Sequence, residues 1–190
     1  MGLAYERETY LTRFAGLSNA DFHAELRSDY AGLTGNEFPS NFGSQLEQIV
    51  WPRIETELEA IDGIADLVCA FGGKVAVGSS SQYHKLIKKL EITGLKSLFA
   101  PHIYSADHVK AGKPAPDLFL HSAAQLDVDP GRCFVVEDSV HGVLAAIAAG
   151  MTPIGFVGGG HCDVGLEQRL LANGAEVVVT HHNQIQALLS

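Results

Sequence analysis

The rhythm of apolar positions changes near residue 61. Before it, apolar residues recur three and four apart, as in Phe22 and Leu26, or Leu46, Ile49, Val50, Ile54 and Leu58, which is the period of an amphipathic helix. After it, short apolar runs alternate with helical stretches, the pattern of a parallel sheet covered on both faces. The runs predict strands near Lys74–Gly78, His102–Ser105, Cys133–Glu137, Pro153–Val157 and Glu176–Thr180. The stretches between and after them predict helices near Ile64–Phe71, Tyr83–Leu90, Pro116–Leu126, Val140–Ala149, Val164–Ala172 and Asn183–Leu189. Residues 1–60 thus form a helical lobe and residues 61–190 an α/β core.

Local signals refine the helical lobe. Ser18-Asn19-Ala20-Asp21 has the form of a capping box and predicts a helix over Ser18–Ala31. The glycines and Pro39 between Gly32 and Gly43 predict a loop, and Pro52 predicts a kink or restart in the helix that follows. No internal repeat or low-complexity tract interrupts the chain.

Composition narrows the class. With 190 residues, 46% of them hydrophobic, the chain can bury one α/β core and a smaller lobe. Its formal charge of −9, from 22 acidic against 13 basic residues, disfavours nucleic acid and anionic membranes as partners. Three cysteines without a close pair point to a reducing cytoplasm. No export signal or apolar span long enough for a membrane is present. The nine histidines have no ligand-like spacing and read mostly as surface or loop residues.

Three separated positions carry chemistry. Ser79-Ser80-Ser81 lies between a strand and a helix start, where hydroxyls and free amides make an anion site, although one serine serving only as a cap is the plainer reading. Lys113 sits in Gly112-Lys113-Pro114-Ala115-Pro116-Asp117, a loop stiffened by its prolines; outside that pattern it would read as a solvated surface lysine. Glu137-Asp138 follows Phe134-Val135-Val136, and two adjacent carboxylates there repel each other unless a cation is near. That pair predicts Mg²⁺, with Asp138 as direct ligand and Glu137 nearby or acting through water. The competing reading is that Asp138 or Ser139 caps the next helix.

These motifs, in this order, resemble those of the haloacid dehalogenase superfamily. Val77-Gly78-Ser79-Ser80-Ser81, Gly112-Lys113-Pro114-Ala115-Pro116-Asp117-Leu118-Phe119 and Val135-Val136-Glu137-Asp138-Ser139-Val140-His141-Gly142 are similar to its second, third and fourth motifs. Ala145, Ala149, Gly150 and Met151 continue the likeness, which is nearest to the β-phosphoglucomutase and sugar-phosphate phosphatase branch. The resemblance implies that Ser79, with Ser80 beside it, binds the transferring phosphoryl group of a small phosphorylated metabolite. It also implies that Lys113 neutralises the phosphoryl charge and orients the nucleophile, that Asp138 helps hold Mg²⁺, and that residues 1–60 belong to a partial cap over a Rossmann-like core.

One part of the pattern is missing. The superfamily begins with a strand ending in Asp-x-Asp, whose first aspartate attacks phosphorus, and residues 1–20 contain neither. Asp127-Val128-Asp129 is the single Asp-x-Asp in the sequence, and followed by Pro130-Gly131 it reads as a turn. The resemblance places the absent strand at the centre of the sheet, between the strands near Cys133–Glu137 and Lys74–Gly78. Strand, turn and first cap helix would amount to roughly 30–40 residues.

An upstream start, cleavage and a truly truncated homologue all stay open, and two exposed sheet edges would invite self-association. The leading expectation is a Mg²⁺-dependent phosphatase lineage that lacks its nucleophile in this chain. The alternatives are an inactive homologue that binds a phosphorylated ligand or a protein partner, and a phosphosugar mutase. Haloacid dehalogenation leaves the acidic pair without a purpose, and a receiver domain would put its acidic cluster first.

Overall fold

A computed structural model describes residues 3–14, 19–160 and 162–189, with the backbone alone for residues 8, 11, 12 and 19–21. Three helices come first: α1 (Arg7–Phe14), α2 (Asn19–Thr34) and α3 (Phe42–Glu57). Ser18, the first residue of the expected capping box, lies outside the described residues. The helix expected from that box runs one turn further than Ala31, to Thr34, whose hydroxyl donates back to the Tyr30 carbonyl at 2.8 Å. Pro52 lies inside a continuous α3, so the sequence restarts no helix there. The three helices meet through aromatic edges, Phe14 on Phe22 at 5.5 Å and His23 on Phe42 at 5.9 Å.

From residue 64 the chain alternates as α4 (Ile64–Ala70), β1 (Val77–Ser79), α5 (Tyr83–Ile92), α6 (Lys96–Phe99) and β2 (Ile103–Ser105). It continues through α7 (Asp117–Leu126), β3 (Phe134–Glu137), α8 (Val140–Ala148), β4 (Thr152–Phe156), α9 (Leu166–Ala172), β5 (Val177–Val179) and α10 (His182–Leu189). Each expected strand is found, within one to three residues at its ends. The short α6 had no pattern of its own, because four residues cannot display a helical period.

The strands form two parallel half-sheets. β1 pairs with β2, Ser79 opposite Ser105. β3 pairs with β4 and β4 with β5, Val136 opposite Ile154 and Gly155 opposite Val178. No strand among the described residues joins β1 to β3.

Helix α7 packs under both halves. Leu118 is fully buried beneath Gly78 of β1, while Phe119 and Ala123 join Val135 of β3 and the alanines of α8 in one apolar cluster. A second cluster, Leu86, Leu90, Phe99 and Ile103, backs β1–β2, and a third, Ile154, Phe156, Val179 and Ile185, backs β4–β5.

Between β1 and β3 lies a slot of about 840 Å³. It opens at the place where the resemblance puts a further strand.

Candidate active site

The C-terminal ends of β1 and β3 point to one mouth, as parallel strands must when their crossover helices flank them. Ser79 ends β1 and accepts a hydrogen bond on its Oγ from the Ser81 amide at 3.1 Å, which folds the serine run into a tight turn before α5. Neither Ser79 nor Ser80 caps α5. Its first amide, on Tyr83, donates instead to the Asp107 carboxylate at 2.7 Å. The helix start is therefore partly satisfied from within, and the serine turn is the part left facing the mouth.

Glu137 ends β3 and is buried, with two polar partners. The Lys113 ammonium forms an ion pair with its Oε1, and the Ser139 hydroxyl donates to Oε2 at 3.1 Å. Burial pushes the Glu137 carboxyl above the ordinary carboxylate range, against the opposing pull of Lys113. Lys113 also donates to the Gly78 carbonyl at 3.2 Å and lies 4.8 Å from the centre of the Phe119 ring. One side chain thus touches the ends of both half-sheets. The cation that the acidic pair required is present without any metal, so repulsion between the carboxylates is not by itself an argument for Mg²⁺.

Ser139 caps α8, accepting from the Gly142 amide at 3.0 Å, as the plainer reading of this turn expected. Gly142 has a second role. A Cβ there would collide with Glu137 Oε2, so only glycine lets the first turn of α8 close over that carboxylate.

Ser79, Ser80, Lys113, Glu137 and Asp138 all line one cavity of about 350 Å³ at this mouth. All five site residues named from the sequence are brought together. His182 lines it too, and no sequence signal marked it. Its ring is buried, stacked on Phe156 at 4.6 Å, with Nδ1 2.7 Å from the Asp62 carbonyl. It departs from the surface reading of the histidines, because its place depends on α10 packing against α4, a contact 120 residues apart in sequence. Asp127 and Asp129 stay outside. Asp127 ends α7 with φ 52°, and Asp129 accepts from the Gly131 amide at 2.8 Å, so Asp-Val-Asp is the expected turn.

The family model for haloacid dehalogenase-like hydrolases matches residues 4–150. The chain belongs to that family. A haloacid dehalogenase-like protein of unknown function from Agrobacterium tumefaciens superposes with a TM-score of 0.85 at 36% identity, over 99% of this chain and 84% of that one. A hydrolase of the family from Deinococcus radiodurans, solved with bound phosphate and sodium, gives 0.80 at 33%, over 99% and 82%. The fructose-1-phosphate phosphatase of Escherichia coli is 40% identical over 93 residues, 48% of this chain and 49% of that protein. The chain spans about half or less of the first curated relatives it matches.

In this haloacid dehalogenase-like hydrolase the mouth offers carboxylate and hydroxyl oxygens, the hard donors that Mg²⁺ prefers. Among the described residues no three His, Cys, Asp or Glu side chains gather into a self-sufficient metal site. The donor set therefore fits a cation held by one or two carboxylates and completed by a phosphate, not an all-protein cage. No helix among the described residues is long and apolar enough to cross a membrane.

Proposed function

We propose that the mouth between β1 and β3 is the phosphoryl site of a Mg²⁺-dependent phosphatase acting on small phosphorylated metabolites, sugar phosphates foremost. The observation that carries this reading is the meeting of Ser79, Ser80, Lys113, Glu137 and Asp138 on one cavity. The phosphatases among the relatives support it. Ser79 and Ser80 bind the phosphoryl oxygens through hydroxyl and backbone amide groups. Lys113 brings the positive charge that an acidic protein otherwise withholds from an anionic substrate.

Asp138 holds Mg²⁺ directly, and Glu137, already tied to Lys113 and Ser139, keeps the lysine in place and reaches the metal through water. When bound, Mg²⁺ neutralises charge on the phosphoryl oxygens. Residues 1–60 act as the cap that selects substrate, and residues 61–190 as the core that carries the site. The protein works in the cytoplasm.

The family's route runs through an aspartyl-phosphate. Among the described residues no Asp-x-Asp stands at a strand end, and Asp127 and Asp129 are bound into a turn. The described elements therefore account for binding and orienting the phosphoryl group and not for the attack on it.

That observation also sustains the second reading, a homologue that binds a phosphorylated ligand or a protein partner and catalyses nothing. The full-length natural translation product, assayed on a panel of sugar phosphates with Mg²⁺ and with chelator, should release inorganic phosphate only with Mg²⁺. Ligand binding without release supports the second reading, and release of an isomerised sugar phosphate in place of free phosphate identifies a mutase.

A further inference from the structure

The turn Ala106–His108, which follows β2, is tied to both parts of the phosphoryl site. It starts from Ser105, which is fully buried and stands opposite Ser79 in the β1–β2 register. The Ser105 hydroxyl accepts from the Asp107 amide at 3.0 Å, and the Ser105 amide donates to His108 Nδ1 at 3.1 Å, a reciprocal cap on one short turn. Held in this way, the Asp107 carboxylate accepts from the Tyr83 amide at 2.7 Å. That amide opens α5, directly after the turn that the Ser81 amide closes on Ser79 Oγ. In the other direction the chain reaches Lys113 five residues after His108.

The conditional member of this cap is His108. A backbone amide can only donate, so Nδ1 accepts and the proton of the neutral ring sits on Nε2. A proton added at Nδ1 removes the acceptor and sets two donors against each other. Glutamate or glutamine, the usual residues at this place in a capping box, would keep the cap throughout the neutral range, whereas histidine makes it depend on pH. The ring is exposed, so protons reach it. Tyr83 of α5 meets it edge-on at 4.9 Å, Tyr104 of β2 at 6.2 Å, and His121 of α7 stacks on it at 6.0 Å. His102 lies behind Tyr104, with Nδ1 2.8 Å from the Tyr104 hydroxyl, and burial pushes that hydroxyl above its ordinary range, which keeps it neutral. His121 adds repulsion once both rings are charged, and Asp107, the acidic neighbour in the turn, offsets part of it.

We propose that His108 is a positioning residue of the phosphoryl site, and that its protonation releases the Ala106–His108 turn and slackens the hold of Ser79, Ser80 and Lys113 on an anion. The proposal rests on the phosphoryl reading of the mouth and adds to it an affinity set by pH. His108 and Asp107 are not among the described residues that line the mouth, so the effect travels through the Asp107 bond to Tyr83 and through the loop to Lys113. Its sign separates it from simple charge. An added positive charge near the mouth attracts an anion, and protonation of Glu137, which burial already favours, acts in the same direction. A fall in affinity on acidification therefore reports the released turn.

The probe is inorganic sulfate, whose charge is constant across the range in which histidine titrates, bound at constant Mg²⁺ and followed by calorimetry. The unaltered protein should bind it about tenfold more weakly at about pH 5.5 than at about pH 7.5. His108→Gln keeps an acceptor for the Ser105 amide and takes up no proton, so it should match the unaltered protein at the higher pH and hold or gain affinity at the lower. His108→Leu has no acceptor and should bind weakly at both. In the absence of any anion, nuclear magnetic resonance should show the amides of Ser81, Tyr83 and Lys113 shifting with the midpoint of the His108 ring protons, and those shifts should vanish in His108→Gln. The proposal is overturned if the unaltered protein holds or gains affinity on acidification, if His108→Gln loses affinity alongside it, if His108→Leu binds as tightly as His108→Gln, or if the three amides ignore the His108 titration. Sulfate binding to none of the three proteins at either pH counts against the phosphoryl reading instead, and the amide shifts then decide whether His108 governs the turn.

Discussion

The two half-sheets carry equal shares of the site and unequal shares of the core. β3, β4 and β5 are backed by the alanine-rich α8 and by clusters built on Val135, Val143 and Ile154. β1 and β2 are three residues each, and no residue of β1 is buried. Yet Ser79 stands on the lighter half, and Glu137 and Asp138 stand on the heavier one. What aligns them is α7 beneath and Lys113 at the mouth, each touching both halves. The candidate residues can therefore be well assembled at the rim while the sheet described below them is in two halves, provided that one helix and one ion pair span both.

Removing the bridge should have the largest effect. Lys113→Met leaves Glu137 buried without its cation and is expected to destabilise the protein by about 3–5 kcal/mol near pH 8. Glu137→Gln added to Lys113→Met should restore most of that loss, as measured by urea unfolding. Leu118→Ala removes the fully buried contact between α7 and β1 and should cost about 3 kcal/mol, with hydrogen exchange rising in β1–β2 before β3–β5. Gly142→Ala drives a methyl group into the Glu137 carboxylate, for an expected loss of about 1–3 kcal/mol and a displaced Lys113.

A smaller effect follows from protonation. Glu137 holds its proton more tightly in the folded protein than in the unfolded chain. Between the ordinary carboxyl pKa and that raised value, the native state carries more protons, so stability should fall as pH rises through the window. Thermal midpoints between about pH 4 and 8 should show the slope in the unaltered protein, and Glu137→Gln should flatten it. Arg53→Ala, on the exposed face of α3 and remote from both half-sheets, should leave the midpoint unmoved.

The strands and most helices were legible because parallel strands buried on both faces write themselves as apolar runs, as in Phe134-Val135-Val136. That the five candidate residues would meet on one cavity was legible because each follows such a run or sits in a proline-stiffened loop. The pairing of Lys113 with Glu137 was not, since it joins residues 24 apart in sequence, and repulsion between adjacent carboxylates could not choose between lysine and metal as the needed cation. Gly142 offered only a glycine inside a helical pattern, and the reason for it appears once the Glu137 carboxylate is placed above it. His182 lacked even that. Its burial depends on α10 meeting α4, which no local period encodes.

The central claim is that Ser79 and Ser80 on one half-sheet, and Glu137 and Asp138 on the other, form one phosphate and Mg²⁺ site. A single nuclear magnetic resonance titration of the protein with inorganic phosphate in the presence of Mg²⁺ tests it most directly. The amides of Ser79, Ser80, Lys113 and Asp138 should shift together along one saturation curve, and Lys113→Met should abolish the curve on both halves. Shifts confined to one half-sheet, or none at any of the four, would contradict it.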